Sequence, residues 1–564
     1  MMKTIYTTLG VLALGLAFSG CIKETMPAGS TQTKEQVAKS SFALDGILRG
    51  LPASMLRYDT AGYDTDYEDH FDYGISAIHL ATEFMINDLA TMGDNPYYNR
   101  YAIWNMNQGQ DARYIYCAYF WDCYYTWIKI ANDVINVINE GSATSEQKIT
   151  LGKAYAYRAD LYLDLARMME AKPVSDKYAV AHGYSVPESI LDLTVPIITE
   201  KTTETEAKNN PRAKKDVMYA LILSDLDKAE TLLEGATYNY TQPSIAAVYG
   251  LKARTYLEMG YWTSGNEGAF ENAAKYAELA ISTSGKKPLT KSQWQDPTTG
   301  FNSGTSNSAW IWGQVLTAEN QRKFESFTSH ISAEATWGYA RLSKIGIDRK
   351  FYESISDSDF RKASWLSPEY IENPASEEFN GVYKFAGSAD DQKKFLASVA
   401  IPYISIKFRP AGGNVNDYTI GNCADHCLMR VEEMYFIEAE AKAHTEGLGV
   451  GKELLETFVK TYRDPKFVCG ANSLKDFLVD DLLHQKRIEF WGEGLLFYDY
   501  KRLDAGLERG YAGTNHASVF RLNCEGRSPQ WNVVITRGEF QSNTGINDDT
   551  NNPDPSDKIE LWTE

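Results

Sequence analysis

The stretch SIAAVYGLKARTYLEM at residues 244–259, followed by FENAAKYAELAIS at 270–282, sets the architecture of this chain. In both stretches apolar residues recur at three- and four-residue steps, which predicts two helices joined by a short break. Small residues such as Ala247 and Ala253 alternate with large ones such as Tyr249. Small residues where two helices cross, with large ones filling the groove, are typical of a tetratricopeptide-type hairpin.

The same helical period returns elsewhere along the chain. It occurs in five further stretches, at residues 114–138, 146–169, 214–233, 428–443 and 451–463. We therefore expect helical hairpins within about 114–169, 214–282 and 428–502. One hairpin cannot bury its apolar face alone, so these hairpins are expected to stack on one another.

Long insertions rich in Tyr, Trp, Asn, Gly and Ser separate the helical stretches. The main ones lie at about 57–110 and 284–422, and they contain short strand-like runs at 309–315 and 400–404. The predicted fold class is therefore mainly α: tetratricopeptide-like helical hairpins forming a scaffold, with long irregular loop insertions and a few short strands. Loops carried on a rigid scaffold are where binding sites usually lie.

The first residues have the pattern of a bacterial export signal. An apolar stretch that is too short for a stable membrane anchor ends in FSGC at Cys21. This motif resembles a lipobox, so we expect residues 1–20 to be removed and Cys21 to be acylated; an ordinary secretion signal is the alternative. Residues 21–42 are small and polar, which predicts a flexible leash, and residues 43–564 are expected to form one body.

The composition narrows the range of functions. The chain has 564 residues, with 56 Lys and Arg against 75 Asp and Glu and a formal net charge of −19. A binder of nucleic acid or of anionic lipid surfaces needs a basic excess that this chain lacks, so no nucleic-acid partner is expected. The 36 Tyr and 12 Trp combine an apolar ring with one polar group, and such rings suit half-wet surfaces.

The motifs predict no metal site and no cofactor. Three residues separate Cys423 from Cys427, but no second Cys/His pair follows at a zinc-like spacing. The six cysteines beyond Cys21 are too sparse for a disulfide framework, and their pairing cannot be deduced from sequence. The acidic stretch at 64–72 lacks the residue order of an EF-hand, which leaves calcium binding an open question.

The sequence gives little support to an enzyme. Glu489 and Glu493 could be drawn as the carboxylate pair of a glycosidase. They lie four residues apart on a predicted helix, with Arg487 and Arg502 nearby, so we expect an ion-pair network on the helix surface instead. The chain contains no metalloprotease, serine-hydrolase or Walker motif.

Several of these segments together resemble the SusD/RagB family of surface lipoproteins of Gram-negative bacteria. The resemblance is carried by the lipobox, AYAYRADLYLDLARM at 154–168, AAVYGLKARTYLEMGYW at 246–262, MRVEEMYFIEAEA at 429–441 and above all KRIEFWGEGLLFYDYKR at 486–502. The last segment departs from the family pattern by lacking its leading Glu and by having Leu496 where Arg is common.

The resemblance implies a glycan-binding lipoprotein on the cell surface, anchored in the outer membrane by its lipid. Such a protein captures oligosaccharide and delivers it to a SusC-like TonB-dependent transporter, with the hairpins facing that partner and the loops forming the glycan site. No catalysis is implied. Two alternatives stay open: uptake of peptides, as in the RagB branch, and a tetratricopeptide adaptor that binds no ligand.

A sugar ring offers an apolar face and a rim of hydroxyls, so its site needs flat aromatic rings beside polar side chains. Two segments in the insertions meet this need, and in the resembling family both regions supply binding residues. The candidates are Tyr97, Tyr98, Asn99, Arg100, Tyr101 and Trp104 in the first segment, and Trp337, Tyr339 and Arg341 in the second.

Overall fold

The structure, a computed structural model, describes residues 40–57, 70–92 and 115–564. Helices dominate this part of the chain. Numbered along the chain, the α-helices of seven or more residues are α1 (Ser41–Met55), α2 (Ile75–Phe84), α3 (Ile115–Val137), α4 (Ser145–Met169), α5 (Lys215–Leu233), α6 (Ile245–Gly260), α7 (Ala269–Ser284), α8 (Ala389–Ser398), α9 (Val431–Thr445), α10 (Leu448–Tyr462), α11 (His484–Phe490) and α12 (Leu496–Leu503).

Shorter elements fill the connections. The short helices are Lys177–Ala181, Glu204–Ala207, Lys291–Trp294, Phe327–Ile331, Arg349–Ser354, Pro368–Glu372, Tyr418–Gly421, Leu474–Asp476 and Arg537–Ser542, and a π-helix, Phe477–Leu483, runs into α11. The strands are β1 (Leu89–Met92), β2 (Trp310–Gln314), β3 (Lys344–Ile347), β4 (His426–Arg430), β5 (Leu507–Glu508), β6 (Leu522–Cys524) and β7 (Glu560–Leu561).

Consecutive helices pack side by side from α3 to α7, and the stack continues through α9 to α10. Small residues allow the close approach within each hairpin. A Cβ on Gly260 would lie 2.5 Å from the ring of Phe270, and one on Gly451 would lie 2.4 Å from the Cβ of Ala443. The predicted fold class, mainly α with tetratricopeptide-like hairpins, is confirmed.

The helix boundaries follow the sequence pattern closely because side chains cap the helices. Helices α3 to α7 and α10 begin and end within three residues of the predicted positions. Thr144 and Gln147 form a capping box at the start of α4, and the Ser244 hydroxyl accepts a bond from the backbone N–H of Ala247 in α6. Such caps satisfy backbone donors that the first helical turn leaves open.

Two local predictions were wrong. The helix predicted from residue 428 begins only at Val431, because residues 426–430 form β4 and pair with β2. The run at 400–404 forms only an isolated bridge, between Ile404 and Gly346. Pro402 has no N–H to donate to a ladder, and Tyr403 has a φ of +69°, so this run cannot continue as a strand.

Three small antiparallel sheets tie distant parts of the chain together. β1 pairs with β3, which places Met92 opposite Lys344, and β2 pairs with β4, which places Trp310 opposite Arg430. β5, β6 and β7 form a three-stranded sheet. The β1–β3 pair matters most for the candidate site, because it joins the two long insertions.

Among the described residues, no helix combines the length and the apolar character needed to cross a bilayer. The six cysteines of this part of the chain are all free, and it holds no cluster of three potential metal ligands. The predicted signal, Cys21 and most of the leash lie outside the described residues. The division of the chain into signal, leash and body therefore stays a prediction.

Candidate functional site

The second predicted cluster lies in a tight turn between the short helix Phe327–Ile331 and β3. Tyr339–Arg341 forms a single 3-10 turn, preceded by Gly338 with φ +87° and ψ −179°. A Cβ on Gly338 would lie 2.7 Å from the backbone oxygen of Ser329, so only glycine lets this turn pack on the short helix. The turn sets the positions of the residues on either side of it.

Trp337 is held inside the protein by a buried asparagine. The indole N–H of Trp337 donates to Oδ1 of Asn422 at 3.0 Å, and the Ser326 hydroxyl donates to the same oxygen at 2.8 Å. The ring edge lies so close to Gly421 that a Cβ there would be 2.2 Å away. Only 6% of Trp337 is exposed, so its contact with a glycan stays a prediction and its visible role is structural.

Tyr339 belongs to a cluster of aromatic rings. Its hydroxyl is hydrogen-bonded to Nδ1 of His70, and its ring centroid lies 5.5 Å from that of Phe324 and 5.0 Å from that of His330. Tyr339 is 5% exposed, whereas Phe324 is half-buried. Burial lowers the pKa of His330 to about 3, so this histidine is neutral at physiological pH.

Three exposed apolar side chains lie on the segments that carry Tyr339 and Tyr418. Leu342 is 59% exposed, Tyr418 37% and Ile420 51%. The Lys323 ammonium lies 5.1 Å from the ring centroid of Phe324 and 5.6 Å from that of Tyr418. We call these five residues, Lys323, Phe324, Leu342, Tyr418 and Ile420, the aromatic patch; grouped apolar exposure of this kind marks interaction sites more often than scattered exposure does.

Phe324 and Tyr418 are not among the residues predicted from sequence. The only local signal for Tyr418 is its place in the Asn- and Gly-rich run at 412–422. Its proximity to Phe324 depends on the packing of loops that are almost one hundred residues apart, which a sequence pattern does not reveal.

Two cations follow Tyr339 in the sequence. Arg341 ends the 3-10 turn and Lys344 begins β3, and both are partly buried. Burial lowers the pKa of each side chain, and no carboxylate of the described chain opposes that shift. Arg341 lies in the same 3-10 turn as Tyr339, and its contact with a glycan stays a prediction.

The first predicted cluster, Tyr97, Tyr98, Asn99, Arg100, Tyr101 and Trp104, lies outside the described residues. The chain nevertheless leaves the described part at Met92, opposite Lys344 and three residues from Arg341 in the sequence. Earlier in the chain, the described part resumes after residue 69 at His70, which contacts Tyr339 and Phe324. Described residues at both of these chain ends of the first insertion therefore contact the second insertion.

The family-like segment 486–502 is not at the surface. Glu489 is fully buried, and its carboxylate accepts bonds of 2.7 Å from each of three guanidiniums, those of Arg361, Arg430 and Arg463. Burial alone would raise the pKa of Glu489, but Arg463, Arg430 and Arg361 hold it well below its ordinary value. An ion-pair network is present, but its predicted position on a helix surface was wrong. Its cations are also not the two that lie nearby in the sequence, since Arg487 pairs with Asp88 and Arg502 pairs with Glu440.

The same network continues to the second carboxylate. Glu493 accepts from Nζ of Lys407 at 2.6 Å and from Nε of Arg430 at 2.8 Å. Glu83 of α2 stabilises the turn between α11 and α12. Its carboxylate accepts hydrogen bonds from the backbone N–H groups of Gly492 and Gly494 at 3.1 and 2.9 Å. These carboxylates are committed to charged and backbone donors in the interior.

Two hollows of the described chain lie elsewhere. A shallow groove of about 590 Å³ runs along α10 and has no aromatic side chain in its lining. A cleft of about 530 Å³ lies between the π-helix, β5 and the short helix Arg349–Ser354. Its rings, Phe351 and Tyr500, are buried, and its charges pair with each other, as Lys350 does with Glu508. Neither hollow offers an exposed ring to a sugar, so we place the candidate site at the aromatic patch.

Comparison with solved structures finds the same fold in several proteins. A SusD-like carbohydrate binding protein from Bacteroides vulgatus ATCC 8482 has a TM-score of 0.66 and 21% identity, covering 90% of this chain and 98% of its own. A SusD superfamily protein from Bacteroides thetaiotaomicron VPI-5482 has a TM-score of 0.65 and 17% identity. The match covers 91% of this chain and 100% of that protein's chain. Surface glycan-binding protein A from Bacteroides thetaiotaomicron, in complex with laminarihexaose, has a TM-score of 0.61 and 16% identity. The match covers 90% of this chain and 98% of that protein's chain.

Comparison with curated proteins gave no match. Family models do match. A SusD-like model described as starch-binding and associating with the outer membrane matches residues 75–257. The model of the SusD family itself matches residues 252–559, which is more than half of the chain. With the fold and the buried 486–502 segment in agreement with that match, this chain belongs to the SusD family.

Proposed function

We propose that this protein binds oligosaccharide at the aromatic patch and delivers it to a SusC-like TonB-dependent transporter of the outer membrane. One observation carries the proposal: the Lys323 ammonium lies within 6 Å of both the half-buried ring of Phe324 and the exposed ring of Tyr418, and Phe324 packs on Tyr339. This is the kind of surface that the chemistry of sugars requires.

The apolar C–H face of a sugar ring packs on an aromatic ring, and its hydroxyls need donors and acceptors around the rim. Tyr418 and Phe324 supply the rings, and Lys323 and Arg341 supply donors. Net hydrogen bonds of about 1 kcal/mol each and a few stacked rings give a dissociation constant between about 1 μM and about 1 mM. A capture protein that must release its cargo needs an affinity in this range.

The comparisons support glycan binding, but they do not identify the residues that bind. One family model is described as starch-binding, and one neighbour of the same fold has been solved with laminarihexaose. We propose that the first predicted cluster, from Tyr97 to Trp104, adds further contacts, since its segment follows Met92, which lies opposite Lys344 at the start of β3. We propose the same for the accessible edges of Trp337 and Tyr339.

We propose that the protein is a binder and not an enzyme. The two carboxylates that sequence alone could assign to a glycosidase are Glu489 and Glu493, and both are buried in the ion-pair network. A glycosidase needs one carboxyl that is protonated before it acts, whereas Arg430 and its neighbours hold the pKa of Glu489 well below its ordinary value.

The protein is proposed to sit at the cell surface on a lipid anchor. Support comes from the lipobox-like sequence at Cys21 and from the outer-membrane association in the description of the matched family model. Acyl chains contribute about 0.8 kcal/mol per buried methylene, so two or more chains hold a protein firmly on a bilayer. The polar residues 21–42 would then let the body stand off the lipid.

The binding proposal is tested by titrating the full-length protein, purified in detergent, with panels of oligosaccharides and of peptides. We expect an oligosaccharide to bind. The change Tyr418→Ala should raise its dissociation constant about tenfold or more. Tyr178→Ala is the matched control, because Tyr178 is also a partly exposed ring, stacked on His182. Binding of peptides alone would support the RagB-like alternative, and binding of neither panel would support an adaptor.

Delivery needs its own test. We expect the protein to co-purify with a TonB-dependent barrel when it is isolated with mild detergent from the outer membrane of its own bacterium. Isolation without any such barrel, while glycan binding is intact, would remove the delivery step and leave the binding proposal standing.

A further inference from the structure

We propose that the protein carries a second oligosaccharide-binding site, built around the half-buried rings of Tyr383 and Tyr403 with Tyr352 between them, and that this site takes a neutral sugar. We call these three residues the tyrosine surface. The inference rests on the proposed function, because it assumes the same class of cargo, but it uses no residue of the aromatic patch.

The first argument is the backbone conformation of Tyr403. Tyr403 has a φ of +69°, and the other non-glycine residues with a positive φ in the described chain are three aspartates, Asp192, Asp504 and Asp557. A short polar side chain such as aspartate tolerates this region, whereas a bulky residue there is strained. Glycine would adopt the same conformation without strain. A large ring kept at a strained position points to a function of that ring.

The conformation of Tyr403 is imposed by its neighbours. Its backbone N–H donates to the oxygen of Leu366 at 2.7 Å, and its own oxygen accepts from the N–H of Ile347, at the end of β3, at 3.1 Å. Gly346 permits this approach, since a Cβ there would lie 2.3 Å from the Tyr403 oxygen. The main chain that carries the ring is therefore already ordered before a ligand arrives, which lowers the entropic cost of binding.

The second argument is the arrangement of the rings. The ring centroids of Tyr352 and Tyr403 lie 5.3 Å apart, with 69° between the ring planes. The ring centroids of Tyr370 and Tyr383 lie 4.4 Å apart, and burial together with the neighbouring Tyr383 raises the pKa of Tyr352. Tyr352 and Tyr370 are buried, whereas Tyr383 and Tyr403 are half-buried. Two rings with accessible surface thus rest on two rings of the interior.

The third argument is the set of polar groups around the rings. Burial raises the pKa of Tyr403, and the carboxylates of Glu353 and Glu369 add to that rise, so both acceptors lie close to this tyrosine. Both glutamates are exposed. Arg349 adds donors, because its Nε donates to Glu353 at 2.8 Å and its side chain is 43% exposed.

A lysine completes this polar rim. The Lys362 ammonium lies 5.1 Å from the ring centroid of Tyr352 and pairs with Asp357 at 2.7 Å. Because Lys362 and Arg349 each have a carboxylate partner, the rim presents donors and acceptors side by side without an unbalanced positive charge. Such a rim suits the hydroxyls of a neutral sugar, whose C–H face packs on the tyrosine rings, better than it suits an anion.

The test is titration of the full-length protein with neutral hexasaccharides, among them laminarihexaose and maltohexaose. The proteins compared are the wild type, Tyr418→Ala in the aromatic patch, Tyr403→Gly in the tyrosine surface, and the double variant, with Tyr178→Ala as the control. The tightest-binding hexasaccharide is then used in hydrogen–deuterium exchange, which shows the segments whose exchange slows when ligand is bound.

We expect two sites per chain in the wild type and the control, one in each single variant and none in the double variant, with a dissociation constant at each lost site raised about tenfold or more. Ligand should slow exchange at residues 399–406 in the wild type and in Tyr418→Ala, but not in Tyr403→Gly. Complete loss of binding in Tyr418→Ala, or unchanged exchange at 399–406 in the wild type, would overturn this inference and leave the proposed function intact. Binding of no hexasaccharide would overturn both.

The strain at Tyr403 has a measurement of its own. Tyr403→Ala and Tyr403→Gly both remove the ring, but only alanine keeps a Cβ at the positive φ. We expect the urea midpoint of unfolding of the glycine variant to lie clearly above that of the alanine variant. Equal midpoints would show that the position is not strained and would overturn the assignment of a function to its ring.

Discussion

The indole N–H of Trp337 donates to Oδ1 of Asn422 at 3.0 Å, and this bond joins the Tyr339 turn to the loop that carries Tyr418. Asn422 is fully buried and also donates to the backbone oxygen of Arg322 at 2.7 Å. One amide therefore connects three loops of the candidate site. The ring that sequence analysis predicts as a sugar platform is in this structure part of the frame that holds the exposed rings.

Replacing Trp337 by Ala should therefore destabilise the protein. We expect the free energy of unfolding in urea to fall by about 3 to 5 kcal/mol, because a large buried ring leaves a cavity and Asn422 loses a donor. Leu342→Ala is the control, since Leu342 is exposed a few residues away, and it should stay within about 0.5 kcal/mol. Equal effects of the two changes would show that Trp337 is not a core side chain in solution.

Replacing Glu489 by Gln should lower the free energy of unfolding strongly. It would leave Arg361, Arg430 and Arg463 facing one another without the carboxylate that they share. Removing one partner of a buried ion pair costs about 3 to 5 kcal/mol. Lys129→Ala, which breaks an exposed pair with Asp133, should change the free energy of unfolding by less than about 1 kcal/mol. A Glu489→Gln protein as stable as the Lys129 variant would contradict the buried network.

Substitution of Gly338 should lower the free energy of unfolding more than substitution of a glycine in an open turn. Gly338→Ala places a Cβ 2.7 Å from the Ser329 oxygen at a φ of +87°. Gly285 also has a positive φ, +62°, but its Cβ would have nothing within 4 Å, so Gly285→Ala should cost only about 1 to 2 kcal/mol. Urea unfolding of both variants should give a clearly larger loss at Gly338. Similar losses would mean that the turn does not rest on the short helix.

A buried histidine pair should make stability depend on pH. Nδ1 of His79 lies 3.0 Å from Nε2 of His426, and burial, with help from Arg254 and Arg167, lowers the pKa of His79 from 6.5 to about 3. Between these two values the unfolded chain binds a proton at His79 that the folded protein does not. The stability contributed by neutral His79 is present above about pH 6.5 and is lost as the pH falls toward 3.

The measurement is the free energy of unfolding of the wild-type protein and of His79→Leu at several pH values between about 7 and about 4.5. The wild-type protein should lose up to about 1.4 kcal/mol more per pH unit than the variant. The change His182→Leu, at an exposed histidine, should leave the pH dependence close to that of the wild-type protein. Parallel curves for the wild-type protein and His79→Leu would show that His79 titrates normally in the folded state.

The helical scaffold could be predicted from sequence because its signals are local. The apolar period and the caps of α4 and α6 depend on neighbours within one or two turns, and the predicted boundaries were accurate there. β4 was missed because its partner β2 lies more than one hundred residues earlier in the chain. A short apolar run next to a helix does not reveal which strand it will pair with.

The interior charges and the site depend on long-range contacts in the same way. Glu489 and Arg487 follow a pattern of charges that is typical of an exposed helix face, but the guanidiniums that surround Glu489 come from Arg361, Arg430 and Arg463 on other elements. Trp337 is buried partly by its hydrogen bond to Asn422, a residue 85 positions later in the sequence. That the site lies in the loop insertions stays a prediction from composition, whereas which rings of those insertions face outward could not be predicted from sequence.

The most direct test of the account is a crystal structure of the protein with the tightest-binding oligosaccharide from the titration panel. We predict that a sugar ring lies against Tyr418 and Phe324, with Arg341 within hydrogen-bonding distance of the same ligand. An oligosaccharide bound instead in the cleft beside the π-helix or in the groove along α10, with the aromatic patch bare, would contradict it.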